Sequence, residues 1–497
     1  MKLDPLSIPF RAAESIVRLA WVLVVFVIGS PALGGGVSSV LGLVVTGFVI
    51  ALGYQLVYYQ RFEYELTNDT LDIVSGVISR RDREIPIGRV QNVDISRNVF
   101  QRALGVAQIN LETAGGSSTE ASLRYVSHEE AKRLQSELGR LKRGARDETE
   151  EEQPERELFS ITSKELSLLG VVGIDLRLLS VVTVLLPVVA PSLREQFADP
   201  LLGLAVTAPL AAAGIVAVTA VISGIIAVAN YYGFRLARRN DELLYERGLL
   251  QRYSGSIPLE KVQVLTISEN VIARRLGYAS LGVETAGYAP GDAESQSAVP
   301  LADRDRVFDL ARSVENFEEI AFERPPKRAR ERYVVRYSLV ALIVVGSAFA
   351  ADTYTGLTFA WYVTVALVPL AVVAAHLKWL NLGYAVQSEY IVLRQGFWTR
   401  TITVVPYYRV QTVLDSQTVL QRRRRLATVV VDTAGSSGLT NRQPRALDID
   451  ESRAEELRET VADRLQEMVR HRRSERRRAR LQSIETGREE APSESVS

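Results

Sequence analysis

A forty-residue stretch, residues 76–115, occurs three times in this chain. Displaced by 172 residues it lies without a gap on 248–287, and displaced by a further 148 it lies on 396–435. Twelve of the forty positions are identical in all three copies, among them Gly76/Gly248/Gly396, Arg80/Arg252/Arg400, Pro86/Pro258/Pro406 and Gln91/Gln263/Gln411. Each copy closes on Thr-Ala-Gly. Repetition of this fidelity means one supersecondary unit made three times, so the fold of the unit decides the fold of the chain.

A pair of apolar runs precedes each copy: 17–33 with 37–58, 166–190 with 201–229, and 334–350 with 356–377. Each run is long enough, or nearly so, to cross a hydrocarbon core of about 30 Å. The loop at 30–39 carries no charge, while Arg18 and Arg61 flank the first pair on its other side. Basic residues stay cytoplasmic, so the pair reads as an in-out-in hairpin. Three such hairpins give six spans, short outer loops, and three soluble domains on the cytoplasmic side with both termini. A cleaved signal peptide fits poorly, because a second apolar run follows at once.

The domain between spans reads as antiparallel β. In the first unit, β-formers at 62–67 and 71–75 flank a turn at Asn68-Asp69. Ile109, Leu111 and Thr113 share one face by the period of two. Residues 98–104 predict a helical turn and 115–118 a hairpin loop. Ser127 and Glu130 predict a capping box for a closing helix that presents Ala131, Leu134, Leu138 and Leu141 on one side. The expected organisation is hairpin 1–60, domain 61–142, charged linker 143–165, hairpin 166–230, domain 231–316, linker 317–332, hairpin 333–380, domain 381–469 and a basic, then polar, disordered tail 470–497. The acid-crowded first linker buries too little apolar surface to fold alone.

Composition narrows the chemistry. There is no cysteine, which excludes disulfides and thiolate metal sites, and the three histidines, His128, His376 and His471, are far apart. Net charge is +1, so bulk charge points to no specific nucleic acid. No phosphate loop, zinc-hydrolase helix or nucleophile elbow is present. The sequence therefore offers no catalytic, cofactor or metal residues.

An α+β unit of six or seven antiparallel strands closed by a helix, set behind a two-span hairpin, resembles the bacterial pleckstrin-homology (PH)-like membrane proteins of the YdbS/YdbT family. The residues that carry the resemblance are the Gly76 turn, Ile85 to Gln91, Leu104-Gly105 and Leu111 to Gly115. The second copy keeps Ile257 to Gln263 and Leu276-Gly277, and the third keeps Val405-Pro406 and Arg409-Val410-Gln411. The third copy departs with Arg424-Arg425 in place of Leu-Gly. The resemblance implies an integral membrane protein with PH-like modules and no established enzymatic centre.

Three groups of residues are candidates for function. The triplets holding Arg89 and Gln91, Lys261 and Gln263, and Arg409 and Gln411 are read either as strand starts whose glutamine bonds a neighbouring loop, or as a shared interaction surface. PH-like domains often bind phosphorylated lipid heads through basic residues of the first hairpin. Here only the second domain has them, at Arg238 and Arg239, the candidate lipid contact. Asp175 and Arg177 lie inside or at the edge of a span, as an intramembrane charge or as interfacial residues that snorkel. The run of seven arginines at 470–480 is solvated or skims the anionic leaflet. The leading expectation is a non-enzymatic membrane scaffold in envelope homeostasis, partnered by membrane lipids and by a small YdbS-like protein or a second copy; the alternative is a transporter or channel component.

Overall fold

The computed structural model describes residues 1–5, 7–12, 14, 37–113, 121–143, 155–173, 200–285, 297–354, 361–433, 443–467 and 470. The expected run at 17–33, Asp175, Arg177, the loop at 115–118, the acids at 147–152 and the tail from 471 lie outside the described residues. The chain divides into two compact units, 1–261 with 287–289, and 262–286 with 290–497. The division falls inside the second repeat.

In the first unit, helix α1 (Val37–Arg61) leads into β1 (Glu63–Leu66), β2 (Thr70–Ser75) and β3 (Arg81–Pro86), an antiparallel sheet of three. The β2–β3 turn needs Gly76, which sits at φ +115; a Cβ there would fall on the backbone carbonyl of Ser79. Gly248 and Gly396 repeat both features, which accounts for this repeated glycine. Pro86, at φ −62, ends β3 and caps a single 3₁₀ turn, Ile87–Arg89, that redirects the chain into β4 (Val90–Asn98). There follow α2 (Val99–Ala103), β5 (Val106–Thr113), β6 (Ala121–Ser127) and α3 (His128–Arg143). Leu71 and Ile85 from the first sheet join Ile109, Leu111 and Leu123 from the second in one core, and α3 adds Ala131, Leu134 and Leu138. Ser127 Oγ accepts the Glu130 amide at 3.2 Å as expected, but the Glu130 carboxylate takes a bidentate ion pair from Arg133 instead of reaching back.

The expected linker contributes structure of its own. Residues 156–160 form β7 (Arg156–Ser160), which pairs with β8 (Arg235–Arg239). Between them run α4 (Ser163–Val172) and the 32-residue α5 (Pro200–Tyr231). A side chain at Gly224 would strike the Gly170 backbone, so these helices meet at small residues. β9 (Glu242–Arg247) and β10 (Gln251–Pro258) complete a seven-stranded sheet in the order β6-β5-β4-β10-β9-β8-β7.

The second unit continues the pattern: β11 (Val262–Asn270), α6 (Val271–Leu276), β12 (Tyr278–Thr285), β13 (Ser297–Asp303), α7 (Arg304–Val314), α8 (Lys327–Tyr354) and α9 (Leu367–Leu380). Then come β14 (Gly383–Val386), β15 (Tyr390–Gln395), β16 (Thr399–Pro406), β17 (Val410–Ser416), α10 (Val419–Arg423), β18 (Leu426–Thr433), β19 (Arg445–Asp450) and α11 (451–467). The sheets are β13-β12-β11-β16-β15-β14 and β17-β18-β19. Ile391, Val405, Tyr407, Val429, Val431 and Val461 centre the core of the third repeat. Arg425, in the third copy, takes the left-handed turn at φ +50 where Gly105 and Gly277 take it at +72 and +78. The fold keeps the turn there at a cost of about 1 kcal/mol.

Among the described residues two helices, Lys327–Tyr354 and Trp361–Leu380, are long and apolar enough to cross a membrane, and only 6% of the apolar window of each is buried. Against the expected six spans, two such helices are found among the described residues. The reason lies partly in residues 17–33 and 174–190, which are outside the described part.

Candidate functional site: the strand seams

Each repeat places its Arg/Lys-Val-Gln triplet at the same corner. Arg89, Lys261 and Arg409 each end the 3₁₀ turn that follows the repeated proline. The glutamine comes next-but-one, where the strand register slips: between Val90 and Asn92, Val262 and Val264, and Val410 and Thr412. Gln91, Gln263 and Gln411 are therefore bulge residues, the extra residue that bends the strand. Gln263 is buried at 5% exposure, and Gln411 is exposed.

Arg238 and Arg239 stand at the β8–β9 hairpin. Arg239 pairs with Glu155 and Arg238 lies 3.7 Å from Asp241, while Arg235 Nε donates to Glu157 at 2.8 Å. Of the two candidate lipid-contact residues, Arg239 thus meets an acid of the linker and Arg238 an acid of its own hairpin turn.

The feature that sequence reasoning missed is the joining of neighbouring repeats strand to strand. β4 of the first repeat pairs antiparallel with β10 of the second, and β11 of the second pairs with β16 of the third. The two seams use one register. Ile95 faces Ser254 and Arg97 faces Arg252; at the equivalent positions Ile267 faces Ile402 and Glu269 faces Arg400. Only the spacing of the repeats, projected onto a known pairing, could have signalled this.

The seams differ in electrostatics. In the first, two arginines oppose each other, and burial, then Arg102 and Arg252, hold the Arg97 guanidinium below its ordinary value. Arg252 turns to Glu246 at 2.8 Å, and Tyr245 OH donates to Asp94 Oδ1 at 3.1 Å, linking β9 to β4. In the second, Glu269 is 1% exposed and receives both Arg400 and Arg304, the latter at 2.8 Å. Burial, with Arg400 next in weight, pushes Arg394 down to about 10. Val271 N donates to Trp398 O at 2.9 Å, tying α6 to the β15–β16 turn.

A second device ties the last strand of each terminal repeat to a segment of chain that precedes that repeat. On β6, Tyr125 sits at φ +66; its carbonyl accepts Asp4 N at 2.8 Å and its ring stacks on Phe10. On β19, Asp448 sits at φ +56 and is fully buried. It accepts Arg332 of α8 at 2.5–2.6 Å, Gln421 at 2.7 Å, and the Tyr333 hydroxyl. Both residues stand three positions before the closing helix.

A Bacterial PH domain matches this chain three times, at residues 16–142, 180–317 and 339–465. The chain belongs to the bacterial PH domain family. Among the relatives of this PH-domain chain is the UPF0699 transmembrane protein YdbT of Bacillus subtilis (strain 168), 25% identical over 424 residues, or 78% of this chain and 83% of that protein. Another is the UPF0699 transmembrane protein YdbS of the same organism, 32% identical over 108 residues, which are 22% of this chain and 64% of YdbS. No solved structure matches the chain. In this chain the seams are where strands of neighbouring PH domains pair, and the ion pairs of Glu269 lie across the second of them.

Proposed function

We propose that the chain is a multi-pass membrane scaffold whose three PH-like domains form an array on the cytoplasmic face for protein–protein contact. The observation that carries this reading is the repeated seam: each pair of neighbouring domains shares a sheet in one register. Main-chain pairing of this kind fixes domains far more firmly than a flexible linker does. Two exposed apolar helices and relatives named as transmembrane proteins support the membrane part. Six spans, with both termini inside, follow from the apolar pairs and their flanking arginines. The non-enzymatic reading rests on the PH family itself. A small YdbS-like membrane protein is the partner, anionic lipid is the surrounding surface, and envelope homeostasis is the setting. Arg89, Lys261 and Arg409 remain candidate contact residues at the three corners.

Because the chain has no cysteine, single cysteines placed in the three domains can be labelled by an impermeant maleimide in intact cells. Protection of all three until permeabilisation supports the topology, and labelling of any one from outside sinks it. Capture from mild detergent, followed by mass spectrometry, tests the scaffold: recovery of a lone chain with no companion counts against it.

A further inference from the structure

The seam operation, repeated twice within the chain, stops at both ends. A β4-type strand takes the β3-type strand of the next repeat, as β4 takes β10 and β11 takes β16. The last β4-type strand, β17, pairs with β18 alone, and the first β3-type strand, β3, pairs with β2 alone, among the described residues. Burial follows pairing. β11 is mostly buried, whereas Gln411, Thr412, Leu414, Asp415 and Ser416 on β17 are exposed, Leu414 by 53%. Arg81 to Glu84 on β3 are likewise exposed.

Projecting the observed register onto these two edges sets Ser416 against Arg81 and Asp415 against Asp82. The sibling positions of Asp415 are Ile95 and Ile267, both buried, and those of Asp82 are Ser254 and Ile402. Each open edge thus carries aspartate where the formed seams carry isoleucine or serine. Like charges directly opposite each other destabilise a strand pair, and charges on an edge are a common guard against unwanted pairing. Asp415 also lies 3.6 Å from Arg458, with both side chains nearly half exposed, so its charge is only partly met.

We infer that the β17 edge is a docking site for the β3-type strand of a PH-like domain on another polypeptide, and that Asp415 facing Asp82 excludes a second copy of this chain. The occupant presents an extended strand after a glycine turn, with arginine at the position of Arg80 and a neutral or basic residue opposite Asp415. The partner chemistry rests on the scaffold reading, and the strand contact rests on the register of the two formed seams. Without the guard, a heterologous head-to-tail contact of this kind would continue into rings or filaments.

The test uses the full-length chain in detergent micelles, with R81C/S416C introduced to trap the projected contact; the natural sequence supplies no competing cysteine. In the otherwise wild-type chain the expected result is a single chain by light scattering and no inter-chain disulfide. D82I/D415I, which installs the residues of the second seam, is expected to associate head to tail and raise the disulfide yield at least tenfold. D82R/D415R, which keeps like charges opposed, stays single. If D82I/D415I folds poorly, D82R alone, with arginine against Asp415, must associate in its place. A synthetic peptide of residues 248–258 carrying cysteine in place of Tyr253 serves as the foreign strand and is expected to be captured by S416C. The peptide of residues 76–86 carrying cysteine in place of Arg81 is not. Disulfide-linked oligomers of the wild-type edges, a single-chain D82I/D415I or D82R, or equal capture of the two peptides would each overturn the inference. Failure of these strands to pair leaves the membrane topology standing, whereas outside labelling of a domain would not touch the pairing.

Discussion

Glu269 and Arg400 face each other across the β11–β16 seam, and the glutamate, 1% exposed, is shared with Arg304. A carboxylate this deeply buried is stable only because two guanidinium groups meet it, and taking it away leaves Arg400, 17% exposed, with a buried charge unmatched. Glu269→Ala is expected to cost about 3 kcal/mol. Glu269→Gln, which keeps the volume and one acceptor, should cost less. Thermal unfolding of the detergent-solubilised chain reads both, and equal stability of wild type and Glu269→Ala would remove the triad from the account of the seam.

The first seam offers the converse experiment. Arg97 opposes Arg252 at the position Glu269 holds in the second. Arg97→Glu copies one seam into the other and turns a like pair into an opposite one. It is expected to stabilise the first unit by roughly 0.5–1 kcal/mol. Protection of β4 amides in hydrogen exchange is the measurement; faster exchange in the variant would contradict it.

Asp448 holds the first turns of α8 against the last sheet through Arg332 and Tyr333, and it also accepts Gln421 of α10. With the acid gone, a buried arginine and hydroxyl lose their acceptor together, at a cost of about 3 kcal/mol. Asp448→Ala should loosen α8 from the third repeat, seen as faster proteolysis within 317–332. Asp448→Asn keeps one acceptor and should lie between. Unchanged cleavage in both would show that α8 is held by packing alone.

The sequence makes the unit legible and hides the assembly. Repetition located the strands, because Gly76, Pro86 and Thr113 answer to local backbone demands: a left-handed turn, a 3₁₀ corner and a buried end pairing with Val90. The helix α3 was readable from its apolar spacing. The seams were not, because Ser254 opposite Ile95 has no complementarity that a single chain reveals. Nor was β7, since its strand-forming Leu158 and Phe159 sit among charges that read as linker. Asp448 looks like any surface acid until its left-handed backbone turns it inward.

The repeated glutamines divide by context. Gln263 is buried at its bulge while Gln411 is exposed at the same one. Gln263→Ala is expected to lower stability by about 1–2 kcal/mol, since the groups around it lose a hydrogen-bonding partner. Gln411→Ala should stay within about 0.5 kcal/mol. If loss of Gln411 instead removes a co-purifying protein with stability intact, the triplet is a contact surface; equal destabilisation by both changes would make exposure irrelevant to its role.

His128 opens α3 beside the first seam, and its Nδ1 is buried with no hydrogen-bond partner among the described residues. Burial, then the positive charges of Arg97, Lys132 and Arg252, lower its pKa from the ordinary 6.5, with Glu129 opposing them. The folded state therefore prefers the neutral ring. Below pH 6.5 the unfolded chain binds a proton that the folded chain resists, so stability rises with pH in that window. The contribution is whole above the unfolded value and is lost as pH falls through the lowered folded one. Unfolding temperatures at pH 7.5 and 5.5 should accordingly diverge more for the wild type than for His128→Gln, which has no proton to gain. The loss on the acid side should be steepest at low ionic strength, where Arg97 and Arg252 repel the charged ring most strongly. An identical pH slope in the two proteins would mean that His128 does not titrate against the seam.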